Sequence, residues 1–207
     1  MQDHLGILKL YRRRIANRRL CRSLVIALLS LFICFFSVDA PAHGSDTEPP
    51  WILIDTAARR LDVYRGYTLL ERFRNISLGS GGPSLVHLEG DATTPLGEFR
   101  ILHVNHDSRF HIFLGLNYPT TAHINHAREL GLIDAVTHES FMSTISLRRT
   151  PPQDTPLGGH IGIHGIGKGD PDIHARYDWT RGCIALTNEQ IEKLSRLVRP
   201  GSRVFIR

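Results

Sequence analysis

The chain has 207 residues, 42% of them hydrophobic and 22% charged, with a formal net charge of +5, which suits one globular domain with a short added segment. The first 42 residues hold seven of the 25 Lys and Arg but only two acids, Asp3 and Asp39, so beyond them 18 basic residues balance 18 acidic ones. The basicity therefore belongs to the terminal segment, and a nucleic acid drops out of the expected partners.

Lys9, Arg12, Arg13, Arg14, Arg18, Arg19 and Arg22 precede an apolar run from Leu24 to Val38, and Ala40-Pro41-Ala42 closes it with small residues. That order is the signature of a secretory signal peptide cut after Ala42. An uncleaved N-terminal anchor is the alternative, although the run is shorter than the roughly 20 residues a spanning helix needs. Both readings export the protein to the periplasm or cell envelope, with membrane contact only through this segment. Cys21 and Cys34 lie within it, so Cys183 is left as a lone thiol with no internal disulfide partner. A single thiol in an oxidising compartment calls for a function; a buried structural cysteine is the plain alternative.

A polar linker, 43–50, leads into a domain spanning 51–207. Trp51–Asp55, Leu61–Arg65 and Thr68–Ile76 are short runs of strand character separated by turns, the pattern of a meander. Gly79-Ser80-Gly81-Gly82-Pro83 breaks it, and 85–90 reads as a loop or short strand. Thr94-Pro95-Leu96-Gly97-Glu98-Phe99-Arg100-Ile101 is a turn feeding another strand. An apolar stretch then runs to Asn117-Tyr118-Pro119.

Ala122, Ile124, Ala127 and Leu130 recur at helical spacing and Gly131 closes that helix; a second helix is expected over 134–147 with Val136, Met142 and Ile145 on its buried side. A Pro- and Gly-rich connector, 151–159, returns the chain to β structure. This helical excursion, about 120–147, is expected to pack on the sheet or to act as a substrate-binding lid. The His123/His126 and His103/His106 pairs have metal-like spacing but lack a carboxylate at a diagnostic interval, so no metal and no cofactor is expected.

The chemistry concentrates between Ile161 and Asn188. His164 follows the alternation Ile161, Ile163 and precedes Gly165, whose carbonyl is placed to hold one imidazole nitrogen. The loop 166–179 is polar and long enough to return Cys183 beside the histidine. Gly182, Cys183 and Ile184 offer backbone N–H groups for an oxyanion. A thiol next to an imidazole is the arrangement of nucleophilic acyl transfer, in which the base raises the reactive thiolate fraction. After Cys183, Thr187-Asn188-Glu189-Gln190 is a capping box opening an amphipathic helix with Ile191, Leu194 and Leu197, and 202–206 is a final strand.

Ile163-His164-Gly165, Thr180-Arg181-Gly182-Cys183-Ile184-Ala185-Leu186-Thr187-Asn188 and the upstream Thr94–Ile101 element together resemble the L,D-transpeptidase catalytic domain, or YkuD domain, across nearly all of 51–207. Asn117-Tyr118-Pro119 and Asp178-Trp179-Thr180 resemble a subgroup with a helical insertion before the His-Gly motif. The resemblance implies a mainly β fold with a helical insertion (α+β), sandwich-like, and a role on the peptidoglycan of the cell wall. It implies attack by Cys183 on the peptide bond after the L-centre of diaminopimelate in a tetrapeptide stem, release of D-alanine, and transfer of the acyl group to an amine. His164 is then the base, Gly165 its orienter, and Gly182 with Cys183 the oxyanion donors. Arg181, Trp179 and Tyr118 become candidate substrate contacts. Arg181 stands where the family often has His, and Ala185 where it often has Arg. Two other functions share these residues: hydrolysis of the same acyl-enzyme, as a carboxypeptidase or amidase, and a non-catalytic wall-binding module in which Cys183 is a core residue.

Overall fold

Alternating apolar side chains build the first strands in this computed structural model, which describes residues 48–207; the expected signal segment and most of the linker lie outside the described residues. Strands β1 (Trp51–Asp55), β2 (Arg60–Arg65) and β3 (Thr68–Arg74) pair antiparallel. Ile52 sits opposite Val63 and Ile54 opposite Leu61, and all four are fully buried. One face of the meander is therefore core, as the period-2 pattern requires.

The short β4 (Pro83–Ser84) and β5 (Thr94–Pro95) form a separate parallel pair. A long β6 (Gly97–Ser108) turns into β7 (His111–Leu116), and later come β8 (Gly162–Gly165), β9 (Ile184–Leu186) and β10 (Arg203–Ile206). The main sheet has the order β3-β2-β1-β10-β6-β7-β8-β9, with β1/β10 and β8/β9 its parallel pairs. The chain after β3 reaches the far edge: Ser77 and Ala185 exchange backbone hydrogen bonds of 3.0 and 2.8 Å, and Thr180 N–H donates to Leu78 O at 3.1 Å. The sheet thus curls around one core, to which Ile191 and Leu194 add the buried face of the helix that follows β9. The fold is mainly β with helices, as expected.

Helices α1 (Thr121–Glu129) and α2 (Ala135–Ser146) fall where the periodicity places them. Ile124 and Ala127 are buried, but Ala122 and Leu130 are exposed; in α2 Phe141 is the buried anchor, Met142 and Ile145 are half-buried, and Val136 is exposed. The reason is a narrow contact. The two helices pack on each other and on Val86, Leu88 and Leu157, a second apolar cluster apart from the main core. That cluster seats the 85–91 loop.

The 166–179 segment, expected to be loop, contains α3 (Pro171–Arg176), with Asp170 as N-cap accepting from Asp172 N–H and Pro171 in the first turn. Those two residues are a helix-start signal that polarity obscured. The capping box of α4 (Asn188–Leu197) is present in full: Thr187 Oγ1 accepts from Gln190 N–H, and Gln190 Oε1 from Thr187 N–H.

Candidate active site

Register brings the thiol to the imidazole. In the parallel β8/β9 ladder Ile163 pairs with Ile184 and His164 with Ala185; one step back, Cys183 lies alongside Gly162. Partners in a ladder share a face and faces alternate. Cys183 and His164 therefore project from one face as diagonal neighbours, although 19 residues separate them in the chain. Both line a cleft of about 990 Å³.

His164 is buried to 2% exposure and fixed on three sides. Its Nδ1 donates to Gly165 O at 2.7 Å, which leaves Nε2 as the acceptor of the neutral ring. The Phe110 ring stacks on it at 4.2 Å, and Trp179 meets it edge-on at 6.0 Å. Burial pushes the imidazole down to about 4; the hydrogen bond to the Gly165 carbonyl opposes this, and the charges of His174 and Arg109 add smaller pushes downward. The ring is uncharged at neutral pH.

Gly165 is paired within β8, opposite Leu186. A side chain there would come within 2.7 Å of Asn188 Oδ1 and of Phe110 O, so close packing selects the glycine. Gly182 needs its freedom for a different reason. Its φ is +121°, and a side chain would stand 2.7 Å from Thr93 O. Its N–H reaches Thr180 Oγ1 at 3.2 Å, the long end for such a bond, while the Thr180 hydroxyl donates to Cys183 O at 2.6 Å.

Cys183 is half-buried, and its Sγ–H points to His160 O at 3.4 Å. Burial pushes the thiol up to about 11, against a smaller opposing pull from the Gly162 backbone. Thiol and imidazole both rest neutral.

Arg181 and Trp179 line the cleft. Tyr118 does not: it is fully buried behind the wall, its hydroxyl accepting from His87 N–H at 3.1 Å and donating to His87 O at 2.6 Å. Ala185 is buried within the ladder. His123, one of the metal-like pair, is a core histidine bonded to Thr120 Oγ1 and Leu96 O, and no cluster of three or more metal-ligating side chains occurs among the described residues.

The sequence reading missed two supports. Asn188 clamps the loop after the His-Gly motif, its Oδ1 accepting from Gly167 N–H and its Nδ2 donating to Gly167 O, both at 2.8 Å. His174 accepts the Trp179 indole N–H at 3.4 Å and lies 3.0 Å from Ser77 Oγ. Asn188 is visible in sequence only as a helix-start residue, and nothing local marks its partner 21 positions away.

The L,D-transpeptidase catalytic domain, YkuD, matches residues 49–206. The chain belongs to that family. A search of curated protein sequences gave no match. Among solved structures the fold is similar to the helical cell shape determining protein Pgp2 from Campylobacter jejuni, with 20% identity and a TM-score of 0.52 over 78% of this chain and 48% of that one. A point mutant of Pgp2 gives 20% identity and 0.53 over 78% and 47%. Bd1075 of Bdellovibrio bacteriovorus gives 17% and 0.48 over 77% and 48%. The chain spans about half the length of these proteins.

Proposed function

We propose that the protein is an exported cysteine L,D-transpeptidase acting on peptidoglycan tetrapeptide stems, with residues 1–42 as the targeting segment, 43–50 as linker and 51–207 as the catalytic domain. The observation that carries the reading is that His164 on β8 and Cys183, the residue that leads into the adjacent parallel β9, line one cleft, with Gly165 O fixing the imidazole so that Nε2 is the proton acceptor.

The thiol sits at about 11 and the imidazole at about 4, so a thiolate–imidazolium pair formed before attack is steeply uphill. The proton moves from Sγ to His164 Nε2 as the S–C bond forms at the carbonyl after the L-centre of diaminopimelate. The oxyanion takes backbone N–H groups at Gly182 and Cys183; the long Gly182–Thr180 contact is a weak competitor. The C–N bond then breaks, His164 returns the proton to the departing D-alanine amine, and a thioester remains on Cys183. An incoming amine loses its proton to His164, displaces the sulfur, and the thiolate recovers that proton. Arg181 at the cleft wall offers a partner for a stem carboxylate.

Incubating the full chain with a purified disaccharide-tetrapeptide and following products by mass tests this. A cross-linked dimer is the expected product. Tripeptide alone would assign the protein to hydrolysis of the same acyl-enzyme. No conversion, together with Cys183 inert to alkylation at neutral pH, would leave a wall-binding module.

A further inference from the structure

The leaving group of the acylation step has a direction in this cleft. Cys183 lies level with Gly162, and His164 stands further along β8, so the path from the sulfur to the base runs toward the end of that strand. The acyl carbon bonds Sγ, and the departing nitrogen must come within about 3 Å of His164 Nε2 to receive its proton. The departing residue therefore extends past the imidazole, toward the segment packed on the end of β8.

That segment is the tip of the β6/β7 hairpin. A side chain at Gly165 would meet Phe110 O at 2.7 Å, and one at Gly167 would collide with Arg109 O, so the tip is seated directly on the loop that follows His164. Asn188 holds Gly167, and Phe110 N–H donates to Ser108 Oγ at 3.1 Å within the turn. The Phe110 ring stacks on His164 at 4.2 Å, and the Arg109 guanidinium carbon stands 4.7 Å from the centre of that same ring. Both residues line the cleft. The guanidinium makes no hydrogen bond or ion pair among the described residues, so an anchored cation beside the base keeps its N–H donors for a ligand.

We infer that Arg109 is a specificity-determining residue that binds the C-terminal carboxylate of the departing D-amino acid. In an amino acid that carboxylate is attached to the same carbon as the nitrogen, so it travels with the atom that His164 protonates. A guanidinium matches a carboxylate with two parallel hydrogen bonds and stacks on aromatic rings; Phe110 anchors the cation without supplying an acceptor oxygen. Arg181 precedes the cysteine, at the acyl end of the reacting pair, and is left for the stem. A peptide continuing beyond the departing residue would bring an amide where the carboxylate belongs, so the contact selects stems that end one residue past the scissile bond. The inference rests on the transpeptidase reading for its ligand, and half of its test does not use that reading.

Binding is read on the full chain with Cys183→Ala, which lacks the nucleophile. N-acetyl-D-alanine is expected to give saturable shifts in the backbone amide signals of Arg109 and Phe110, and N-acetyl-D-alaninamide to bind about tenfold more weakly, the scale of one charge-assisted hydrogen bond. Arg109→Met, at an exposed position, is expected to remove that difference and Arg109→Lys to keep part of it. Equal binding of acid and amide, or a preference that survives Arg109→Met, would overturn the inference. Turnover is then compared for disaccharide-tetrapeptides ending in D-alanine or D-alaninamide. The active protein is expected to favour the acid by about tenfold in kcat/KM, Arg109→Met to treat the two alike, and Arg181→Met to retain the preference. A preference lost in Arg181→Met but kept in Arg109→Met assigns that carboxylate to Arg181 and overturns the inference. No release from either substrate, with the acid still preferred in binding, refutes the transpeptidase reading while the carboxylate site stands.

Discussion

The two walls of the cleft are built by different means. The wall bearing Cys183 and His164 is sheet: β8 and β9 are tied by ladder bonds on one side to β7 and on the other to Ser77, and their apolar residues sit in the main core. The wall beside it, with His87 and Glu89, is loop held by side chains: Tyr118, Asp91 and the small cluster under α1 and α2. A ladder fixes position through many equivalent bonds, so losing one costs little in placement. A loop fixed by a few side chains depends on each of them, which makes this wall the natural place for substrate selection and motion.

The largest effect expected is at the sheet wall and is chemical. Cys183→Ala is expected to lower turnover of the tetrapeptide by at least about a thousandfold while the thermal midpoint moves by less than about 2 °C, measured by scanning calorimetry; turnover surviving in that variant would remove the cysteine from the mechanism. Phe141→Ala empties the anchor of the other wall and is expected to cost about 3–5 kcal/mol. If the helices are a separable unit, hydrogen exchange will show that loss in α1, α2 and the 85–91 loop while β8 and β9 stay protected. Equal loss in both walls would mean they unfold together.

A titration sharpens the comparison further. His164 is buried uncharged and pushed down to about 4, so between its ordinary value near 6.5 and 4 the unfolded chain binds more protons than the folded one. Stability therefore falls as pH drops through that window, by up to about 3 kcal/mol. Cys183, pushed up to about 11, acts in the opposite sense: its contribution is present below the ordinary thiol value and is lost as pH rises toward 11. Urea unfolding from pH 4 to 7 in wild type and His164→Gln checks the first; a wild-type slope unchanged by the substitution would assign the acid loss elsewhere. The smallest effect concerns Asn188→Ala, which opens the clamp on Gly167 and is expected to cost about 1–2 kcal/mol and to reduce turnover about tenfold, read from kcat with KM little changed.

The sheet wall was legible because its residues announce themselves locally. Glycine beside histidine and glycine beside cysteine, each in an apolar run, reflect short-range constraints: a carbonyl one residue away for His164 and a positive φ at Gly182. The capping box of α4 was legible for the same reason. Val136 shows where periodicity misleads, since α2 meets only a narrow partner and the helical pattern alone does not say how much of a face is covered. Tyr118 shows it from the other side: its sequence neighbourhood marked it as a substrate contact, and the fold turns its hydroxyl onto the His87 backbone instead.

By itself, then, the sequence determined the family, the mainly β architecture and the Cys183–His164 pair, because those depend on periodicity and on backbone constraints that one or two neighbouring residues impose. Only the tertiary structure decided which face the thiol shares with the imidazole, that both rest neutral through burial, and that the His87 ring packs against Gly158. Those outcomes come from contacts between segments up to some 70 residues apart, and no local pattern encodes the desolvation or the register that produces them.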